Sequence, residues 1–291
     1  MNQPNTSVFN LKGLAGKKHH PEVIAVTSGK GGVGKTMISV NLALILKKLN
    51  KRVLLFDADI HLGNVDLMLG LRPEHSISDV LLKDMNIEDV IVQGPEGLDI
   101  LPAASAVPEF IEMEDEALRR FSDVFGRLDR DYDIILVDTG AGLSQNVMSF
   151  VLSADKIAVV VTPDPASIAD AYGMIKVIKS YNKEIPIMLI TNMVSSDVEG
   201  ESLYKKMNLM VQRFLNGSLS FGGSILRDDT ILSSVRQQSP LTLDYPNSNP
   251  AKALKMATRR LFQMPGSDSR SRAGLFDRIL LSRDVIIGEN G

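Results

Sequence analysis

The chain has 291 residues, 44% of them hydrophobic and 23% charged, with a net charge of −3. These proportions suit a soluble globular protein of one large α/β domain or two small ones, and the balance gives no electrostatic reason to expect nucleic-acid binding. It has no cysteine and four histidines (His19, His20, His61 and His75) without ligand spacing, which excludes disulfides, thiolate-held iron–sulfur clusters and thiol catalysis and argues against zinc. The N-terminus lacks the apolar run of a signal peptide, and no stretch of about 18 apolar residues occurs. The expectation is a cytoplasmic chain that neither spans a membrane nor is exported by the general route.

Residues 1–21 are polar, with Leu11 and Leu14 ahead of a basic and histidine run at Lys17 to His20. They read as a mobile leader or as a short peptide that folds onto a partner. From Val23 onward short apolar β-branched runs alternate with amphipathic ones. Strands are predicted at 23–27, 53–56, 98–101, 134–137, 157–162, 187–191 and 219–225, and helices at 35–49, 77–82, 114–128, 168–181, 202–215 and 251–262. This alternation indicates an α/β fold: a doubly wound, mainly parallel sheet with helices on both faces. No linker-like composition interrupts residues 22–264, which read as one domain. Ligands are expected outside the carboxyl ends of its strands.

After the first strand, Gly29-Lys30-Gly31-Gly32-Val33-Gly34-Lys35-Thr36 matches the phosphate-binding pattern G-x-x-x-x-G-K-[ST]. Glycine backbones let successive N–H groups turn towards a phosphate, and the following helix adds its N-terminal partial charge. Lys35 is expected on the outer phosphates and the Thr36 hydroxyl on Mg²⁺; an ordinary Gly-rich turn is the bland alternative. Lys30 by itself reads as a solvated surface lysine.

Asp57-Ala58-Asp59 follows the second strand. Carboxylates at i and i+2 share a face if the strand continues through them, one towards the Mg²⁺ shell and the other towards an attacking water. A polar strand end that caps the next turn is the other reading. Asp138-Thr139-Gly140-Ala141-Gly142 closes another strand. It puts an acid where a nucleotide-hydrolysing fold holds its Mg²⁺ shell, and glycines where a loop must move. Asn192 ends the sixth predicted strand; its amide suits a purine edge, although such residues also form turns.

Together these stretches resemble the deviant Walker-A ATPases of the MinD/ParA class, over about residues 23–262. Within that class, residues 61–71, 138–150 and 163–172 are similar to the FlhG (FleN/YlxH) family of flagellar-number regulators. Thr139-Gly140 stands where a Ser-Pro or Thr-Pro pair is more usual in MinD or ParA proteins. Fe–S carrier relatives and nitrogenase iron protein share the loop but need cysteines. The resemblance implies an ATPase with ATP and Mg²⁺ as cofactors, in which two subunits sandwich two nucleotides. Lys30 would reach the partner's nucleotide. A cation about 4 Å from a phosphate oxygen at an effective dielectric near 20 is worth on the order of 4 kcal/mol before desolvation, enough to couple nucleotide state to dimerisation. The same resemblance implies catalytic roles for Lys30, Lys35 and Asp59, and Mg²⁺ contacts for Thr36 and Asp138, supported by Asp57. It implies base contacts for Asn192 and residues 223–229, including Arg227 and Asp228; Arg227 stands where many relatives have proline.

The implied partners are an FlhF-type GTPase and a flagellar transcription activator. The leader offers Asn2-Gln3-Pro4 and Leu11-Lys12 in place of the family's Asp-Gln-Ala…Leu-Arg motif. Past a linker beginning at Pro265, Leu275, Phe276, Ile279 and Leu280 fall on one helical face, with Asp277, Arg278 and Ser282 opposite and Leu281 off the pattern. This resembles the helix that ties MinD and FlhG proteins to the inner face of the cytoplasmic membrane; a terminal helix packed on the domain is equally compatible. Four such side chains contribute about 6–10 kcal/mol at most, reduced by ordering, so one helix binds weakly and two on a dimer bind better. Alternatives are a MinD-like division-site regulator or a ParA-like DNA-partitioning ATPase. For the latter, residues 252–283 carry eight Lys or Arg against two Asp or Glu.

Overall fold

A computed structural model of the chain describes residues 20–59, 63–83, 85–103, 124, 126, 128, 131–266 and 274–288. The leader up to residue 19, His61 and Leu62, most of the helix predicted at 114–128, and residues 267–273 lie outside the described residues. The strands are β1 (Glu22–Ser28), β2 (Val53–Ala58), β3 (Val92–Gln93), β4 (Asp99–Leu101), β5 (Ile134–Ala141), β6 (Lys156–Val161), β7 (Ile187–Val194) and β8 (Ser220–Leu226). They form one sheet in the order β3-β4-β2-β5-β1-β6-β7-β8. Every pairing is parallel except that of β3 with β4. All seven predicted strands are present. The two-residue edge strand β3 is too short for any periodicity to show.

The described helices are α1 (Lys35–Lys48), α2 (Val65–Met68), α3 (Ile77–Lys83), α4 (Ile87–Val90), α5 (Gln145–Ser153) and α6 (Pro165–Tyr181), followed by α7 (Asp197–Leu215), α8 (Asp229–Arg236), α9 (Leu241–Asp244), α10 (Asn249–Gln263) and α11 (Leu275–Gly288). Two of them start earlier than hydrophobic periodicity predicts, because polar caps set their first turns. The Asp164 side chain accepts from Ser167 N–H with Pro165 opening α6, and the Ser196 side chain accepts from Glu199 N–H to open α7.

Alternate side chains of the strands feed two apolar layers, as a sheet covered on both faces requires. Ile24, Val26, Leu55 and Leu136 pack with α1 and α10. Val23, Ala25, Phe56 and Val137 pack with α5, α6, α7 and α11. The pattern positions a site because the backbones of β1, β2 and β5 end side by side, with Asp57 in register with Asp138.

The C-terminal helix belongs to the second layer. Leu275, Phe276, Ile279 and Ile286 are buried against it, and the Phe276 ring lies 6.1 Å from that of Phe56. The four residues expected to face a membrane therefore do not form an exposed apolar face in this arrangement; three are buried and Leu280 is half-buried. The placement of Arg278 on the polar face is corrected. Its side chain is only 4% exposed, because Asp155 at the start of β6 supplies a counter-charge 2.7 Å away. The other Asp155 oxygen accepts from Val23 N–H at 2.8 Å. Leu281 and Val285 remain exposed, and Ile286 has a packing role that the sequence did not suggest.

Phe150 of α5 meets Phe56 edge to face at 5.4 Å and is buried beneath the tail helix. Phe150→Ala should lower the stability of the chain by about 3–5 kcal/mol in urea denaturation. A loss below about 1 kcal/mol would mean that this layer does not carry the fold.

Candidate active site

The sequence leaves the loop after β1 few choices. Gly32 and Gly34 sit at φ 76° and 89°, where L side chains are strained. A Cβ on Gly34 would lie 2.5 Å from the Asn192 amide nitrogen, and one on Gly29 would collide with the α6 backbone at Asp170. Gly29 is thus needed for close packing of strand and helix, while Gly31 and Gly32 face open space. The N-terminus of α1 has no side-chain cap and no acidic residue in its first turn. Its amides are left for a ligand, which favours an anion.

These amides open into a cavity of about 1350 Å³ lined in part by Gly31, Gly32, Gly34, Lys35, Thr36 and Asp59 at one end, and Asn192, Arg227 and Asp228 at the other. It brings most of the predicted residues together at the carboxyl edge of the sheet. Val33 is buried behind the loop, with its carbonyl accepting from Asn192 Nδ2 at 2.7 Å. The Asn192 Oδ1 is buried with no hydrogen-bond partner among the described residues. An orphaned acceptor in a buried position has a desolvation cost that a donor on a ligand would relieve.

Beneath the loop lies a carboxylate pair. Asp138 is 1% exposed and accepts from Ser39 Oγ at 2.7 Å. Burial raises its pKa, against the Lys35 charge and the Thr36 and Ser39 hydroxyls, which pull it down. Asp57 is pushed up to about 7, chiefly by burial and then by the neighbouring Asp138 charge, although hydrogen bonds from Val65 and Asp59 N–H oppose this. Asp57 uses its two oxygens on those amides, at 3.1 Å to Asp59 N and 3.0 Å to Val65 N. Its role in the structure is to tether the segment after β2. That strand ends at Ala58, so Asp59 stands beyond it, against the backbone of Gly140.

Lys30 lies outside the cavity. Its Nζ is 2.6 Å from Asp164 Oδ2, with both side chains almost half exposed. The sequence reading assigned no role to Asp164; the Asp-Pro start of α6 was the available signal. It also missed Asn64, Leu67, Met68 and Met193, and Ile231, Leu232, Val235 and Gln238 on or just after α8, all of which line the cavity. Short helices such as α2 and α8 give little periodicity to read.

A parallel sheet with this loop at one strand end, an uncapped helix N-terminus and buried acids on the next two strands defines a P-loop nucleoside-triphosphate-binding protein. The family described as an AAA domain matches residues 21–190. The antiactivator FleN of Pseudomonas aeruginosa is 37% identical over 86% of this chain and 89% of its own length. The flagellum site-determining protein YlxH of Helicobacter pylori is 36% identical over 83% and 82%. The MinD of Pyrococcus horikoshii, solved in complex with Mg-ADP, superposes with a TM-score of 0.66 at 26% identity, covering 84% of this chain and 96% of that one. The chain belongs to the MinD/ParA class of P-loop ATPases within that AAA-domain family, beside FleN and YlxH.

The raised pKa of Asp57 fixes a sign. The folded state holds its proton more tightly than the unfolded chain, so this group's contribution is complete below about pH 4 and is lost as pH rises through about 7. In Mg²⁺-free buffer without nucleotide, stability should fall across that window by up to about 4 kcal/mol. Thermal melts of Asp57→Asn should be flatter over the same range; an unchanged slope would contradict the assignment.

Proposed function

We propose that this chain is an ATP-dependent, dimerising switch ATPase that regulates flagellar number or placement from the inner face of the cytoplasmic membrane. The observation that carries the reading is the separation of two lysines. Lys35 lines its own cavity, whereas Lys30 stands outside it at an exposed rim. A lysine at that rim is free to serve a second subunit. Its present ion pair with Asp164 is largely solvated and therefore easily exchanged for a phosphate. Likeness to FleN and YlxH over most of the chain supports the flagellar role.

In this reading the amides of Gly31 to Thr36 and Lys35 would hold the phosphates, and Thr36 would reach Mg²⁺ with Asp138 beneath it. Bound Mg²⁺-ATP supplies the scissile phosphoanhydride and charge neutralisation. Asp59 would orient a water at the cavity wall, and Asn192 would meet the base at the other end of the cavity. Dimerisation releases α11 from its groove, and its apolar face, Leu275, Phe276, Ile279 and Leu280, then meets lipid. The partners are an FlhF-type GTPase or a flagellar transcription activator.

No helix among the described residues is long and apolar enough to cross a membrane, so peripheral attachment is the form consistent with this reading. A ParA-like role on DNA is less favoured, because several of the basic residues near the C-terminus are engaged internally. Arg278 is paired with Asp155, Lys255 donates to Pro246 O, and Arg260 lies over the Phe221 ring.

With ATP and Mg²⁺ the wild type should double its mass by light scattering, and Lys30→Ala should stay monomeric while still binding ATP. Dimerisation of Lys30→Ala would overturn the role of that lysine. Cosedimentation with anionic liposomes should require ATP and fail for Phe276→Glu. Salt-sensitive binding to duplex DNA that survives Phe276→Glu would favour the partitioning reading instead.

A further inference from the structure

β7 does not end as a regular strand. Its pairing with β8 shifts between Asn192 and Val194, so that Met193 is an extra residue bulged out of the ladder. Met193 adopts φ 56°, a left-handed conformation that a long unbranched side chain rarely takes. Bulges re-aim the neighbouring side chain, and they persist when surrounding contacts over-determine them. Here the bulge sends Asn192 inward to the phosphate loop and leaves Met193 at the cavity wall.

Two hydrogen bonds that hold the bulge come from one residue. Arg227 Nε donates to Met193 O at 2.9 Å, and Arg227 N–H donates to Val194 O at 2.9 Å. The guanidinium thus fixes the carbonyl that follows Asn192, and the backbone amide restores the ladder one residue later. Arg227 is exposed, so its conservative removal leaves no cavity and no buried charge.

We propose that Arg227 is a positioning residue for the base end of the pocket: by holding the Met193 carbonyl in the bulge, it keeps the Asn192 amide, hydrogen-bonded to Val33 O and with its Oδ1 buried and unpartnered, at the wall where the ligand's base would sit. Asn192 can meet that base only while its Nδ2 stays on Val33 O, since the two ends of one amide are fixed together. An acceptor in that position favours a base presenting an amino group over one presenting a carbonyl. Arg227 therefore sets selectivity for adenine over guanine through its hold on the Asn192 segment. The effect should fall mainly on the base end, since the phosphate end is built from the amides of α1 and its loop and meets Asn192 through Val33 O. The inference rests on the reading of this cavity as an ATP site.

The test is equilibrium binding of ATP, GTP and inorganic tripolyphosphate to the full-length wild type, Arg227→Met and Arg227→Lys. Arg227→Met keeps the side-chain stem and the backbone amide but removes the donor. It should weaken ATP about tenfold, narrow the ATP-over-GTP ratio, and leave tripolyphosphate unchanged; Arg227→Lys should recover most of the ATP affinity. An equal loss for tripolyphosphate, or an unchanged ATP affinity and ratio, would overturn the role of Arg227. A wild type that binds ATP no better than tripolyphosphate would overturn the base-site reading and this inference together.

Discussion

Two buried carboxylates in register on neighbouring strands are the constraint around which the site is built. β2 and β5 pair so that Asp57 stands opposite Asp138, and both are at most 2% exposed. Like charges this close in a low-dielectric interior cannot both ionise without compensation. The compensation comes from the site itself. Lys35, Thr36 and Ser39 at the start of α1 act on Asp138, and the amides of Asp59 and Val65 act on Asp57. The phosphate loop is thereby tied to the sheet by charge as well as by glycine geometry. A divalent cation with a nucleotide would complete that balance.

The same strands reach the rest of the molecule. Phe56 immediately precedes Asp57 and touches both Phe150 of α5 and Phe276 of the tail helix. α5 begins just after the short loop that follows β5, the strand that carries Asp138. A rearrangement of that loop would therefore act on the surface against which the tail rests. The tail is held there partly by a buried ion pair in which Arg278 leaves Nε and Nη2 without hydrogen-bond partners among the described residues. Half-satisfied buried charges of this kind hold weakly compared with their Coulomb attraction. A docked state of that sort can be exchanged for another environment.

Much of this was legible in the chain. The phosphate loop compresses its backbone and charge chemistry into eight adjacent residues, Gly29 to Thr36, and long apolar strands announce a parallel sheet. What was hidden depended on contacts distant in sequence. The Lys30–Asp164 pair spans two strand ends, and the burial of Arg278 depends on Asp155, which no periodicity of the tail could reveal. Asp57 turned inward to amides because β2 stops at Ala58, a boundary that the alternating pattern does not mark. The Met193 bulge is invisible for a related reason: methionine carries no signal for a left-handed backbone, and the bonds from Arg227 to Met193 O and Val194 O come from just past the next strand.

The central claim is that the buried acids and the phosphate loop form one Mg²⁺-nucleotide site. Calorimetric titration of ATP with and without Mg²⁺, on wild type and the isosteric Asp138→Asn, tests it most directly. The account predicts that Mg²⁺ tightens ATP binding to the wild type by at least about tenfold and that Asp138→Asn loses most of this gain. Equal gains in both proteins, or none in either, would contradict it.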